Sequence, residues 1–476
     1  MKMILGGKPT DAGDGRTIDV LNPITHEIID TVPSATEEDV DRVLRIAQDG
    51  AALWGCKTAE ERAGILFRAA DLLMEEQVHI ASLLSRETGK PYRQSRGCVD
   101  LASQLFRNYA EQAKYLYGHV LPSTDDLITV HHEPLGVVVC ITPFNFPVEM
   151  YGHKAAPALA AGNAVVIKPA SDTPLSTIYM TEVLLRSGIP AEALQVVTGG
   201  GGTVGRALAR SPRVNAISLT GSTAVGIDIM EQSAKNMTRT FMELGGNDGA
   251  IIFDDANLDL AVEEAIAGRT YNAGQVCCAP KRFIVQNHIL SAFADRLCAR
   301  LAALKIGDPF DPETDMGCLI SEKAAIEVEK QVNDTLALGA RCLCGGKRYD
   351  QTFYPPTVLA DVTPDMPIAR DMEIFGPVFP LIGFDTEEEA VRLVNQSSYG
   401  LSSGVITSDL QRGLRVAKQL DAGGAIINGT GMFRTIHMPF GGHKKSGIGT
   451  EGLLETLREM TRTKSIVFKH LLEVQD

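Results

Sequence analysis

Apolar residues recur at helical spacing early in the chain and gather into short runs later. Thr36-Glu-Glu-Asp39 has the form of a capping box, and Val40, Val43, Leu44 and Ala47 then follow on one helical face. Thr58 to Glu61 repeats the signal ahead of a second helix that extends towards Gly89. The pattern makes the first hundred residues mostly helical. From residue 135 the texture changes. Apolar runs at Gly136–Ile141, Ala164–Ile167, Leu194–Thr198, Val214–Leu219 and Thr240–Leu244 are separated by segments long enough for crossover helices. That βαβαβ rhythm predicts a parallel, nucleotide-binding sheet. Leu121–His132, just before it, reads as an arm or a hairpin. After Asp254 a second α/β rhythm begins, with helices over 257–268, 289–304 and 386–395 and strands at Arg282–Val285 and Val378–Phe384. Thr463–Phe468 alternates like one more strand, paired within its own domain or with another subunit.

Composition narrows the function classes. The 476 residues are 44% hydrophobic and 22% charged, which fits a folded enzyme and not a disordered or collagen-like chain. A formal net charge of −14 repels phosphate backbones and anionic lipid, so neither nucleic acid nor a membrane surface is an expected partner. The longest uncharged stretch, Pro134 to Val148, is broken by prolines and falls short of the roughly 20 apolar residues of a membrane helix. The start, MKMILGGKPTDAGDG, lacks an apolar signal core. Nine scattered cysteines are not a disulfide framework, and a reducing cytoplasm is the expected location. Cys342 and Cys344 flank one residue with no second pair at zinc spacing, so no metal site is expected.

Several segments carry possible chemistry. Gly199–Gly202 opens a helix after a strand, and TGSTAVG, Thr220 to Gly226, does the same. The second offers helix N-terminal N–H groups that suit a diphosphate, although it does not match GxGxxG. YNAGQVCCAPKR, Tyr271 to Arg282, sets Cys277 beside Cys278 in a loop of small residues. A thiolate there is a strong nucleophile if its surroundings lower its pKa; two inert thiols are the plain alternative. In MELGGND, Glu243 stands at a strand end before a Gly-Gly turn, either as a general base or as a salt-bridged carboxylate. In ITPFNFP, Asn145 either donates to a developing oxyanion or only forms a turn.

Together these segments closely resemble the aldehyde dehydrogenase superfamily. TPFNFP, KPASDTP, LTGSTAVG, MELGG, NAGQVC, EIFGPV and PFGGHKKSGIGTEG occur in the family's order between residues 134 and 452, with Glu243 and Cys277 at the family's separation of 34 residues. The resemblance implies an α/β subunit. It would have a Rossmann-like cofactor domain (1–116 and 135–244), a second α/β catalytic domain (245–462) and a small β oligomerisation arm (117–134 and 463–476) of a homodimer or homotetramer. It implies Cys277 as the nucleophile, Asn145 and the Cys277 N–H as the oxyanion site, and Glu243 as the base that activates water. Lys168 would reach the adenine ribose, Ser222 the diphosphate and Glu373 the nicotinamide ribose. Phe375 would lie by the nicotinamide, with Gly221 and Gly226 permitting close backbone approach. NAD-preferring members often carry Glu where this chain has Ser171, so NADP is expected, with NAD as the other cofactor. Glu243 also favours hydrolysis over transfer to coenzyme A.

By position, Met150, His153, Val276, Cys278 and the loop with Arg434 and His437 would line the aldehyde tunnel. The arginines that succinate-semialdehyde members carry at His153, and non-phosphorylating glyceraldehyde-3-phosphate members at Val276, are missing. The expected substrate is a small polar or anionic aldehyde of the succinate-semialdehyde, lactaldehyde or glycolaldehyde type. A non-phosphorylating glyceraldehyde-3-phosphate dehydrogenase and a catalytically idle structural member are the alternatives. Arg434 is either an anion contact or a surface salt bridge, and Arg107 is a more distant cation.

Overall fold

The computed structural model describes residues 1–471. Its centre is an eight-stranded sheet whose five middle strands are parallel. In spatial order these are Leu194–Val196, Ala164–Lys168, Val137–Ile141, Ala216–Thr220 and Arg239–Glu243. The chain lays down the middle strand first, works outwards on one side and then crosses to the other. A switch point therefore falls between Val137–Ile141 and Ala216–Thr220, and in open α/β sheets a ligand crevice lies beyond the carboxyl ends at such a point. The strands are buried almost throughout, which is why they read as continuous apolar runs. A short antiparallel strand from late in the chain, Gly447–Ile448, closes the edge beside Arg239–Glu243.

The second sheet has seven strands in the order Arg341–Cys344, Thr357–Ala360, Val378–Phe384, Pro280–Gln286, Asp248–Ile252, Ser403–Ile406 and Ile426–Ile427. All but the first pairing are parallel. A third, antiparallel sheet joins Thr461–Phe468 to Leu127–Pro134, and that strand to His119–Leu121. Both Leu121–His132 and the tail strand thus belong to one small sheet. No helix among the described residues is long and apolar enough to cross a membrane.

The N-terminal expectation needs correction. Residues 37–113 are helical, but four strands precede them. Met3–Leu5 and Lys8–Thr10 form a hairpin around Gly6 and Gly7, both at positive φ, and Ile4 pairs with Val196 at the edge of the central sheet. Thr17–Leu21 and Ile28–Pro33 form a second antiparallel pair. The helix predicted to run from Thr58 to Gly89 is two helices, Ala59–Glu75 and Gln77–Thr88, divided at Glu76 and stopped by Gly89 in the left-handed region. Both capping boxes are present: Thr36 with Asp39, and Thr58 with Glu61. The glycine run opens as one wide turn, Gly201–Gly205, before the short helix Arg206–Arg210.

Candidate active site

Three loops converge beyond the switch point. The first leaves Val137–Ile141 and carries Asn145 just ahead of the helix Pro147–Ala160. Its position is fixed from behind. The buried Lys90 ammonium donates to the Asn145 carbonyl at 2.8 Å and lies 3.8 Å over the Phe146 ring. The Asn145 amide donates to the Gln275 carbonyl at 2.8 Å.

Glu243 ends the strand Arg239–Glu243, with 6% of its surface exposed. One of its carboxylate oxygens, Oε2, has no hydrogen-bond partner. Burial, with the charge of Glu451 added, holds this carboxyl well above the ordinary range. The two glycines that follow let neighbours close in. A Cβ on Gly245 would lie 2.3 Å from Glu373 Oε2, and one on Gly246 would lie 2.8 Å from the Cys277 carbonyl.

Cys277 follows the turn Tyr271–Gly274, in which Asn272 and Ala273 both adopt left-handed backbone, at φ 49° and 53°. Outside glycine such residues persist only where surroundings hold them. Here Gln275 donates to the Asn272 carbonyl and accepts from the Ile320 N–H, while Lys281 donates to the carbonyls of Val276 and Cys277. The half-buried Cys277 thiol is raised, not lowered: its contact with Cys278 and its burial outweigh the pull of Lys281 and Arg434. The surroundings thus do not lower the thiol, and a nucleophilic Cys277 calls for a base within reach.

Cys277, Asn145 and Glu243 line one cavity of about 410 Å³, together with Met150, His153, Val276, Cys278 and Arg434. Arg434 is not at the surface. It donates to Glu451 at 2.6 Å and stacks 4.0 Å over the Phe440 ring. Glu451 also faces Lys154 Nζ at 3.4 Å and His153 Nδ1 at 3.7 Å. Burial works to raise the Glu451 carboxyl, but the Lys154 and Arg434 charges oppose it and the carboxyl lies well below the usual range. Burial and the neighbouring Arg434 push His153 down to about 3, so its ring is neutral. Glu149, on the first turn of Pro147–Ala160, is raised by burial. Two expected contacts are absent. His437 is exposed outside the cavity wall, and Arg107 is exposed and bound to Asp71. Glu451, Lys154, Glu149 and Lys90 escaped the sequence reading. Glu451 lies inside the PFGGHKKSGIGTEG motif, so its position was signalled but not its contacts.

A second cavity of about 420 Å³ meets the first at Asn145, Thr220 and Cys277. Gly221, Ser222, Glu373 and Phe375 line it. Ser222 caps the helix Thr223–Ser233 and accepts from the Val225 N–H. A Cβ on Gly221 would meet only Leu219, at 3.5 Å, so the approach to that helix end is open. Phe375 stands edge-on to Phe144, and Glu373 accepts from the Gly246 N–H at 3.1 Å. A helix N-terminus, an open backbone and an aromatic wall fit the diphosphate and nicotinamide ends of a dinucleotide. Lys168 and Ser171 flank Ala170, which lines this cavity, but are not part of its wall. Lys168 donates to the Pro169 carbonyl, and burial pushes it down to about 8 against the pull of Asp172. Ser171 donates to the Gly199 carbonyl at 3.5 Å. Gly226 serves packing, because a Cβ there would strike the Leu244 side chain at 2.5 Å. No cluster of metal-ligating side chains occurs among the described residues.

The sequence model of the aldehyde dehydrogenase family matches residues 10–466. The chain belongs to the aldehyde dehydrogenase family. Membership makes it an enzyme of aldehyde oxidation that uses NADP or NAD. It is 41% identical over 450 residues to the glutarate-semialdehyde dehydrogenase of Pseudomonas putida KT2440, covering 94% of this chain and 93% of that one. It is 40% identical over 453 residues to the NADP(+) succinate-semialdehyde dehydrogenase of Escherichia coli K12, covering 94% of each. Among solved structures, betaine aldehyde dehydrogenase of Staphylococcus aureus in complex with NAD+ matches with a TM-score of 0.96 and 35% identity, over 99% of this chain and 96% of that one.

Proposed function

We propose that this enzyme oxidises a small polar or anionic aldehyde to the free carboxylic acid, through a thioester on Cys277 and with NADP preferred over NAD. The observation that carries this reading is the meeting of the two cavities at Cys277 and Asn145, with Glu243 on the wall of the first. Glu243, raised by burial, is the base within the cavity that can take the thiol proton. The Cys277 sulfur then adds to the aldehyde carbon, and the oxyanion is held by the Asn145 amide and the Cys277 N–H. Gly221, Ser222, Glu373 and Phe375 would hold the dinucleotide, with Lys168 and Ser171 towards its ribose 2′ position. When bound, NAD(P) supplies the hydride acceptor. Glu243 passes the thiol proton to solvent and then takes a proton from water, whose oxygen attacks the thioester carbon. The carbon–sulfur bond breaks and Cys277 is regenerated.

Arg434 is the support for an anionic substrate. Its guanidinium lines the aldehyde cavity, bonded to Glu451 through one N–H and beside the buried Lys154 ammonium. The two relatives from Pseudomonas putida and Escherichia coli are semialdehyde dehydrogenases, which fits this class, and the glyceraldehyde-3-phosphate alternative finds no support in them. The domain division 1–116 with 135–244, 245–462 and an arm of 117–134 with 463–476, together with assembly as a homodimer or homotetramer, is part of the same proposal. So is a cytoplasmic location, supported by nine free cysteines.

The test is formation of reduced cofactor from a panel of aldehydes, with NADP and NAD in parallel and no coenzyme A. Turnover favouring NADP and abolished in Cys277→Ala is the expected result. NAD preference would overturn the cofactor assignment, and full activity of Cys277→Ala would overturn the mechanism.

A further inference from the structure

His153 is buried on the wall of the aldehyde cavity, and its Nε2 has no hydrogen-bond partner. The other ring nitrogen, Nδ1, lies 3.7 Å from Glu451 Oε2. Glu451 accepts from Arg434 and faces Lys154, so it is ionised, and a carboxylate at Nδ1 draws the ring proton to that nitrogen. The two neighbouring cations disfavour a second proton. Nε2 is therefore left with a lone pair only and acts as an acceptor. Such an atom, buried and unpaired, is costly unless a ligand supplies the donor. Arg434 lines the same cavity. It gives one N–H to Glu451 and retains others for an anion.

We infer that His153 sets substrate specificity by accepting a hydrogen bond from a substrate hydroxyl, so that the preferred aldehyde carries both a hydroxyl and an anionic group. This rests on the aldehyde-oxidation reading above and narrows its substrate class. An aldehyde without the hydroxyl leaves Nε2 unpaired against an apolar chain, and a site built to bond a hydroxyl rejects the analogue that lacks it.

The experiment compares kcat/KM for 4-oxobutanoate with that for its 2-hydroxy and 3-hydroxy derivatives, at one saturating cofactor concentration. One hydroxylated form should lead by about tenfold or more. His153→Leu should bring the ratio to within about twofold, and His153→Gln, which keeps an acceptor, should recover part of the preference. Equal or poorer use of both hydroxylated forms by the native enzyme would overturn the inference, as would a ratio unmoved in His153→Leu. Competitive inhibition by 2-hydroxybutanedioate against butanedioate gives a second reading, independent of turnover. Tighter binding of the hydroxy acid to the native enzyme supports the inference, and equal binding overturns it. Absence of turnover with every aldehyde, by contrast, overturns the parent reading.

Discussion

The thiol of Cys277 is held protonated largely by the thiol next to it, and that has a measurable consequence. Contact with Cys278 is the foremost cause of its raised pKa, followed by burial. Cys278→Ala should therefore lower the Cys277 pKa and speed its alkylation by iodoacetamide at pH 7 by several-fold, followed by peptide mass spectrometry; an unchanged rate would refute the attribution. Glu243→Gln keeps the shape but removes the base. With neither the thiol nor the water deprotonated by it, steady formation of reduced cofactor should fall by roughly 10²–10⁴. Lys168 gives a pH dependence. Its folded-state pKa is depressed to about 8, so it is cationic below that pH and loses its charge above it. The preference for NADP over NAD should fall as pH rises through about 8, read from the ratio of kcat/KM values. The identities of Cys277, Glu243 and Asn145 were legible because each stands in a recognisable run. The protonation of Glu243 was not, because it is set by burial and by Glu451, Lys154 and Arg434, which come from distant parts of the chain.

Elements betray themselves in sequence when their burial is uniform. The parallel strands were readable because both faces are covered, leaving unbroken apolar runs. Thr17–Leu21 and Ile28–Pro33 are mostly exposed or half-buried and give no such run. The hairpin Met3–Thr10 escaped the reading, because Gly6-Gly7 between two strands of three residues each is too short a signal. The loops at strand ends are tuned by close approach, which two substitutions separate. Gly246→Ala puts a methyl 2.8 Å from the Cys277 carbonyl and should displace the nucleophile loop, lowering kcat by about 10²-fold. Gly226→Ala drives a methyl into the Leu244 side chain, itself part of the second cavity's wall, and should cost about 1–3 kcal/mol of stability in denaturant titration. Similar effects of the two on both readouts would show that the two glycines do one job.

On the scale of the whole molecule, the outlying sheet presents Val120, Leu121, Ile466, Val467 and Phe468 to solvent. Exposed apolar side chains on a projecting sheet support its proposed place between subunits. Light scattering coupled to gel filtration should give two or four copies, and Val467→Asp should reduce that number. A monomeric native protein would remove the arm from the proposal. This sheet was half legible. The alternation of Thr463–Phe468 gave the strand, but its partner, 331 residues away at the Thr463–His132 pairing, was not legible. The short strand Gly447–Ile448 adds a different consequence. During synthesis the strand ending in Glu243 emerges some two hundred residues before the segment that seals its edge. Until then a growing chain carries an open, adhesive flank where the finished enzyme has its base. A premature stop before residue 447 should thus yield sticky fragments that sediment with aggregates or recruit chaperones, whereas full-length chains stay in the supernatant.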